Sequence, residues 1–299
     1  MAEVAVMTPA RPRPFGKATA AAARAGTLLF VLLRLWGIWE GYRWLWMETG
    51  WTKPFVVDST TLPHLHDIVA ALFESPQEGG PLLIDLLFDA MLFTAKEALV
   101  GFAIGATIGF LLGAVIARFR ILRRGLMPYV VASQTIPILA VAPIVVVGLG
   151  SLTIAGWTPT DWMRVSVIAA YLTFFPVTVN TVRGLQSADP AAVELMESYA
   201  ASGWAVFWKL RVPSALPYLF SAFKVAATAS VVGAVIGELP SSIQDGLGGA
   251  IINFNQYYVL KPENLWATNL IAACLGIGFF LVVLLVEKLV VRRAPEELV

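Results

Sequence analysis

The chain has 299 residues, 58% of them hydrophobic and 14% charged, against roughly 45–50% and about 25% in soluble domains. That balance puts it in the membrane class, and a formal net charge of +1 leaves no basic excess for nucleic acid. The single cysteine, Cys274, excludes an internal disulfide and reads as a small apolar core residue, not a reactive thiol.

Six stretches are apolar over about 20 residues, the length a helix needs to cross a bilayer. They are 27–46, 96–117, 128–149, 162–182, 214–239 and 266–291, so the expected fold is an all-α integral membrane protein with six transmembrane helices. Arg11, Arg13, Lys17 and Arg24 precede the first stretch, as they would a secretory signal. The run is long and rich in tryptophan, however, and no small-residue cleavage site follows, so it is read as a retained span behind a tail of residues 1–26. Within it Arg34 reads as snorkelling, while Glu40 and Arg43, three apart, are placed to pair on one face. Trp36, Trp39, Trp44, Trp46 and Trp51 resemble an interfacial aromatic belt.

The connection 47–95 holds both histidines, as His64-Leu65-His66-Asp67. With no other His or Cys nearby, this cluster reads as solvated surface, and no metal site is expected. In the second span Gly101, Gly105, Gly109 and Gly113 share one helix face. Such a face lets two backbones approach closely and is expected to pack within the subunit. The third span runs through Ser133-Gln134-Thr135-Ile136-Pro137 to Pro143. Two prolines there break the helical ladder at a depth where only protein or a water-filled cavity covers free carbonyls. The fourth carries Tyr171, Phe174-Phe175-Pro176, Thr178 and Asn180.

Residues 189–213 interrupt the lipid-soluble pattern. Asp189 is placed to cap a helix whose first residue is Pro190, and Val193, Met196 and Tyr199/Ala200 recur along one apolar stripe. Alanine is the best helix former, so this helix is expected to run through Ala200 and turn at Gly203. A second short segment with Trp204, Phe207 and Trp208 then ends at Pro213. In the fifth span Ser221, Lys224 and Thr228 share a face that looks at protein or pore. Glu238 closes the span, and Asp245-Gly246-Leu247-Gly248-Gly249 follows as a turn into a short helix or as part of an outer gate.

Basic residues sort sharply between the two sides. One side receives the N-terminal arginines, Arg118 to Arg124, Arg183, Lys209, Arg211, Lys288, Arg292 and Arg293. The other receives only Lys53 and Lys261, with Arg43, Lys96 and Arg164 near its interface. Both termini and the 189–213 loop are therefore expected in the cytoplasm. No Walker A sequence and no catalytic constellation is present, so the chain is not expected to be an enzyme. An ion-coupled carrier would need a buried carboxylate within a span, and the acidic residues of spans two to six sit at the ends.

The 189–213 loop resembles the EAA loop of binding-protein-dependent ABC importer permeases, with the pattern E-A-A-x3-G-x9-I-x-L-P. Glu194 takes the Glu, Leu195 and Met196 the alanines, and Ala200 the glycine. Leu210, Val212 and Pro213 take I, L and P, though only Glu194 and Pro213 are identical. The resemblance covers about 96–293 and implies an ABC importer type I permease fold in the inner membrane. It makes Glu194, Leu195, Met196, Ala200, Gly203, Leu210 and Pro213 the contact for the ATPase. It further implies a second permease copy, two cytosolic ATPase subunits that hold ATP and magnesium, and an extracytoplasmic binding protein. The third and fourth spans resemble the subgroup serving nitrate, sulfonates, taurine, thiamine-precursor pyrimidines and riboflavin. Gln134, Thr135, Tyr171, Phe174, Thr178, Asn180, Ser221, Lys224 and Thr228 are the candidate pathway residues. Their few fixed cations favour a planar heterocycle over an anion.

Overall fold

A computed structural model describes residues 15–51, 53, 56–153, 156–241 and 243–291. Arg11, Arg13, Arg292 and Arg293, and the side chains of Lys17 and Arg24, lie outside what it describes. Every regular element in the described residues is helical, and the chain divides into two compact units, Met1–Val69 and Ala70–Val299.

The first unit is built on α1 (Phe15–Thr49), a single helix of 35 residues. Glu40 and Arg43 do not pair with each other. Each reaches instead to the connection after the helix: Glu40 contacts His64 at 2.7 Å, and Arg43 donates to the Leu62 carbonyl. Trp39 Nε1 donates to the Pro63 carbonyl at 3.1 Å. Three side chains within little more than one helical turn thus hold residues 62–64. A short helix, α2 (Leu65–Ala71), follows.

The second unit holds α3 (Leu83–Arg118), α4 (Arg120–Ser133), α5 (Ile138–Gly150), α6 (Asp161–Leu185), α7 (Pro190–Ser198), α8 (Gly203–Val206), α9 (Val212–Ser241), α10 (Leu247–Gln256) and α11 (Pro262–Val290). Among the described residues, four helices are long and apolar enough to cross a membrane: α3, α6, the run Gly203–Glu238 and α11. The bent α4–α5 pair makes a fifth. α1, which contains the expected first span, is not in that set. Part of the beginning of α1 lies outside the described side chains.

The glycine face of α3 packs on α6, as its spacing predicts. A Cβ at Gly105 would lie 2.6 Å from Thr173 Cβ, one at Gly109 2.7 Å from the Phe174 carbonyl, and one at Gly113 2.6 Å from Thr181 Cβ. Those distances are shorter than atoms tolerate, so glycine is what lets the two backbones approach. The other side of α6 meets α9 in the same way, with Gly233 over Ala169 and Gly184 against Ala215. Val177, Ala222 and Ala226 form the buried centre, flanked by Phe102, Phe110 and Phe223. α11 lies along α9 and leaves Val282, Leu285 and Leu289 exposed, the pattern of a helix facing lipid.

The third expected span is bent by 96° between α4 and α5. Pro137 lacks an N–H, and its ring bars Ile136 from helical geometry. Ser133 to Ile136 therefore close two tight turns before α5 begins. Pro143, expected to break the ladder as well, lies inside α5 without ending it. Only one of the two prolines turns the chain.

Candidate functional site

The connection between α6 and α9 is ordered by caps. Asp189 Oδ1 accepts from the Ala191 N–H at 3.0 Å, and Pro190 occupies the first position of α7, where a missing N–H costs nothing. The far end departs from expectation. α7 stops at Ser198, and Ala200 adopts φ +52°, the one left-handed non-glycine among the described residues. The Ala201 N–H bonds the Met196 carbonyl at 3.0 Å and the Ala200 N–H bonds that of Glu197 at 2.9 Å. This pair of bonds is a Schellman stop, and it places Ala200 where helices usually carry glycine. Helix propensity, worth about 1 kcal/mol for alanine over glycine, is overridden by satisfying the terminal carbonyls of a nine-residue helix. Gly203 does not turn the chain; it opens α8, capped by Ser202 Oγ on the Ala205 N–H at 3.3 Å.

Pro213 does not end the second segment either. Phe207–Arg211 form a π-helical turn in which the Val212 N–H reaches the Phe207 carbonyl, and the helix runs on into α9. The wider turn makes room for a ring that would otherwise strike the preceding carbonyl. Leu210 is half-buried and Pro213 exposed at this junction.

The exposed face of the loop matches the expected stripe only at Tyr199 and Ala200. Val193 and Met196 are half-buried, and Val193 lines a cleft of about 750 Å³ together with Phe207, Arg118, Arg120, Arg123 and Arg211. The apolar residues left most bare are Leu195 at 57%, Tyr199 at 80% and Trp204 at 72% exposure, with Trp208 and Glu194 also exposed. Leu195 and Tyr199 are four apart and share a face.

The candidate pathway residues fall into three groups. Gln134 and Thr135 sit exposed in the break between α4 and α5, and the Tyr171 hydroxyl bonds the Ser133 carbonyl there. Tyr171 and Phe174 stand 5.7 Å apart, ring centre to ring centre. Asn180, half-buried, donates to the Pro176 carbonyl at 2.8 Å. Ser221 is exposed, and Thr228 bonds its own helix at Val225. Two residues are tied into the packing of the chain itself. Thr178 is wholly buried, its backbone carbonyl under Gly113 and its hydroxyl on the Phe174 carbonyl, so it belongs to the α3–α6 contact. Lys224 is held by Glu287 of α11 at 2.9 Å, a partner the sequence reading missed.

A second missed cluster ties α3, α9 and α10 together. The wholly buried Glu238 accepts from Thr94 Oγ1 at 2.6 Å and from the Gly248 N–H, while the Leu247 N–H donates to Thr94 Oγ1 at 2.9 Å. The carboxylate thus sits on the N-terminus of α10, where helix dipoles favour negative charge. Gly248 is required here, since a Cβ would meet Glu238 Cβ at 2.7 Å. Glu97, also wholly buried, neighbours Glu238. Both carboxylates are buried, and both stand at the ends of the expected spans 96–117 and 214–239, where the acidic residues were expected.

Apolar helices joined through small-residue faces, with a capped surface helix on one connection, define a multi-pass membrane protein. The chain belongs to the family of binding-protein-dependent transport system inner membrane components, whose pattern matches residues 105–294. It is 32% identical over 207 residues to the riboflavin transport system permease protein RibX of Chloroflexus aurantiacus, covering 69% of this chain and 73% of that one. It is 39% identical over 125 residues to the formylaminopyrimidine transport permease protein ThiX of Halalkalibacterium halodurans, covering 42% of this chain and 46% of that one. A putative aliphatic sulfonates transport permease protein, SsuC of Escherichia coli, is 25% identical over 89% of this chain and 91% of its own. The fold is shared with the crystal structure of an amino acid ABC transporter at TM-score 0.52 and 19% identity, covering 69% of this chain and 94% of that one.

Proposed function

We propose that this chain is the pathway-forming subunit of an ATP-driven importer in the bacterial inner membrane. It works as a pair, with both termini and the α7–α8 loop in the cytoplasm. The chemistry belongs to two partner ATPase subunits, which hold ATP and magnesium, and a binding protein delivers cargo from the other side. The observation that carries this reading is the exposure of Leu195, Tyr199 and Trp204 along the capped α7–α8 loop. Such a surface needs a partner to cover it, and it lies on the segment that resembles the family's ATPase contact. Leu195→Arg tests it. Because the side chain is exposed, stability is expected to shift by no more than about 0.5 kcal/mol, while ATPase subunits no longer co-purify and uptake stops. Full ATP-driven uptake by the variant would overturn the docking assignment.

For cargo we favour a planar heterocycle of the thiamine-precursor or flavin type. RibX and ThiX carry such names, and Tyr171 and Phe174 stand as an aromatic pair near Gln134. Sulfonate, nitrate or taurine is the second reading, favoured by the long alignment with SsuC. Affinity of the cognate binding protein separates them: tight sulfonate or nitrate binding with none for heterocycles would exclude the first.

A further inference from the structure

The only two histidines of the chain, His64 and His66, were expected to be solvated surface. The structure instead brings a third metal-ligating side chain to them from α1. His64 Nδ1 lies 2.7 Å from Glu40 Oε2, the two imidazole rings are 4.9 Å apart, and one donor atom from each of the three residues falls within 4.8 Å of the others.

The backbone at this place is already fixed. Trp39 and Arg43, flanking Glu40 on α1, bond the carbonyls of Pro63 and Leu62, and the Leu65 N–H donates to Glu40 Oε1 at 3.3 Å. Arg43 donates to Leu62 and forms no ion pair with Glu40, and a bound ion would take the place of the proton that Glu40 Oε2 shares with His64 Nδ1. We propose that Glu40, His64 and His66 bind one divalent transition-metal ion of the zinc class, with solvent or Asp67 as fourth ligand.

Two imidazoles and one carboxylate are a donor set for zinc and its neighbours, and imidazole selects against magnesium and calcium. Ligands about 2.0–2.1 Å from a tetrahedral ion stand about 3.4 Å apart. The His66 side chain is exposed and so is free to turn toward such an ion. Asp67 Oδ1, 3.2 Å from His66 Nε2, is within reach of the same ion. The bound ion would fasten residues 62–66 to α1. The site is independent of the transport reading, since none of its residues lies in the family-matched segment.

The test uses the full chain purified with its partners, stripped with a chelator, then titrated with zinc against a chromophoric competitor. One zinc per chain is expected, together with the visible absorption of a tetrahedral ion when cobalt is substituted. His66→Ala is the deciding variant: its side chain is 73% exposed, so the protein keeps its elution profile while zinc affinity falls about tenfold or more. Glu40→Gln is expected to act in the same direction. Wild-type protein that holds no more zinc than His64→Ala/His66→Ala, or a His66→Ala protein that binds as tightly as wild type, would overturn the site.

Discussion

The contact of α3 with α6 and the loop of α7 and α8 are both made of small and apolar residues, yet they are built on opposite terms. Between α3 and α6 nothing is left bare: Gly105, Gly109, Thr173 and Val177 are buried, and the two backbones touch. In the loop the backbone is satisfied by its own caps, while Leu195, Tyr199 and Trp204 remain exposed. The first region spends its apolar surface on its own fold. The second keeps its surface free, and its shape depends on hydrogen bonds at helix ends instead of packing. A bulky side chain should therefore be ruinous in the first region and tolerated, for stability, in the second.

Gly105→Leu gives the largest expected effect. Even its first carbon would press on Thr173 Cβ at 2.6 Å, costing about 3 kcal/mol or more and leaving little monodisperse protein in detergent. A variant that melts like wild type would erase the contrast, because the helices would then have room to part. Next comes Glu238→Ala, which strips Thr94 and the Gly248 N–H of their shared acceptor. A loss of about 3 kcal/mol is expected, with α10 becoming sensitive to protease before the rest of the chain. An unchanged digestion pattern would show that α10 is held by something else.

The smallest effect runs the other way. A left-handed alanine is strained by about 1–2 kcal/mol, so Ala200→Gly should stabilise the protein by about 1 kcal/mol, less whatever freedom glycine gains in the unfolded chain. A higher melting temperature with uptake intact is the expected result. A lower one would mean that α7 continues through Ala200 after all.

The same division marks what could be read from the sequence. The glycine face was legible because spacing of four on a helix is a local pattern, and so was the start of α7, where Asp189 and Pro190 are adjacent. Ala200 misled because propensity speaks for a helix interior, while a nine-residue helix is governed by its ends. Pro213 misled because a proline reads as a stop unless a π turn absorbs its ring. The partners of Glu238 and Glu40 were out of reach altogether. Thr94 is 144 residues from Glu238, and His64 is 24 from Glu40, and neither distance carries a periodic signal. His64 and His66 looked like surface only because the third ligating group belongs to another helix.

The π turn at Phe207–Arg211 has a mechanical consequence. Because Pro213 does not interrupt the chain, Gly203–Glu238 is one helix of 36 residues, about 54 Å long at 1.5 Å per residue. Trp204 stands at one end of that rod and the Glu238 seat of α10 at the other. A tilt of about 10° around its midpoint carries each end roughly 5 Å, close to one helical turn. A displacement of Trp204 would travel toward Glu238 along one continuous helix, with the π turn, Pro213 and Pro217 as the places where it can bend.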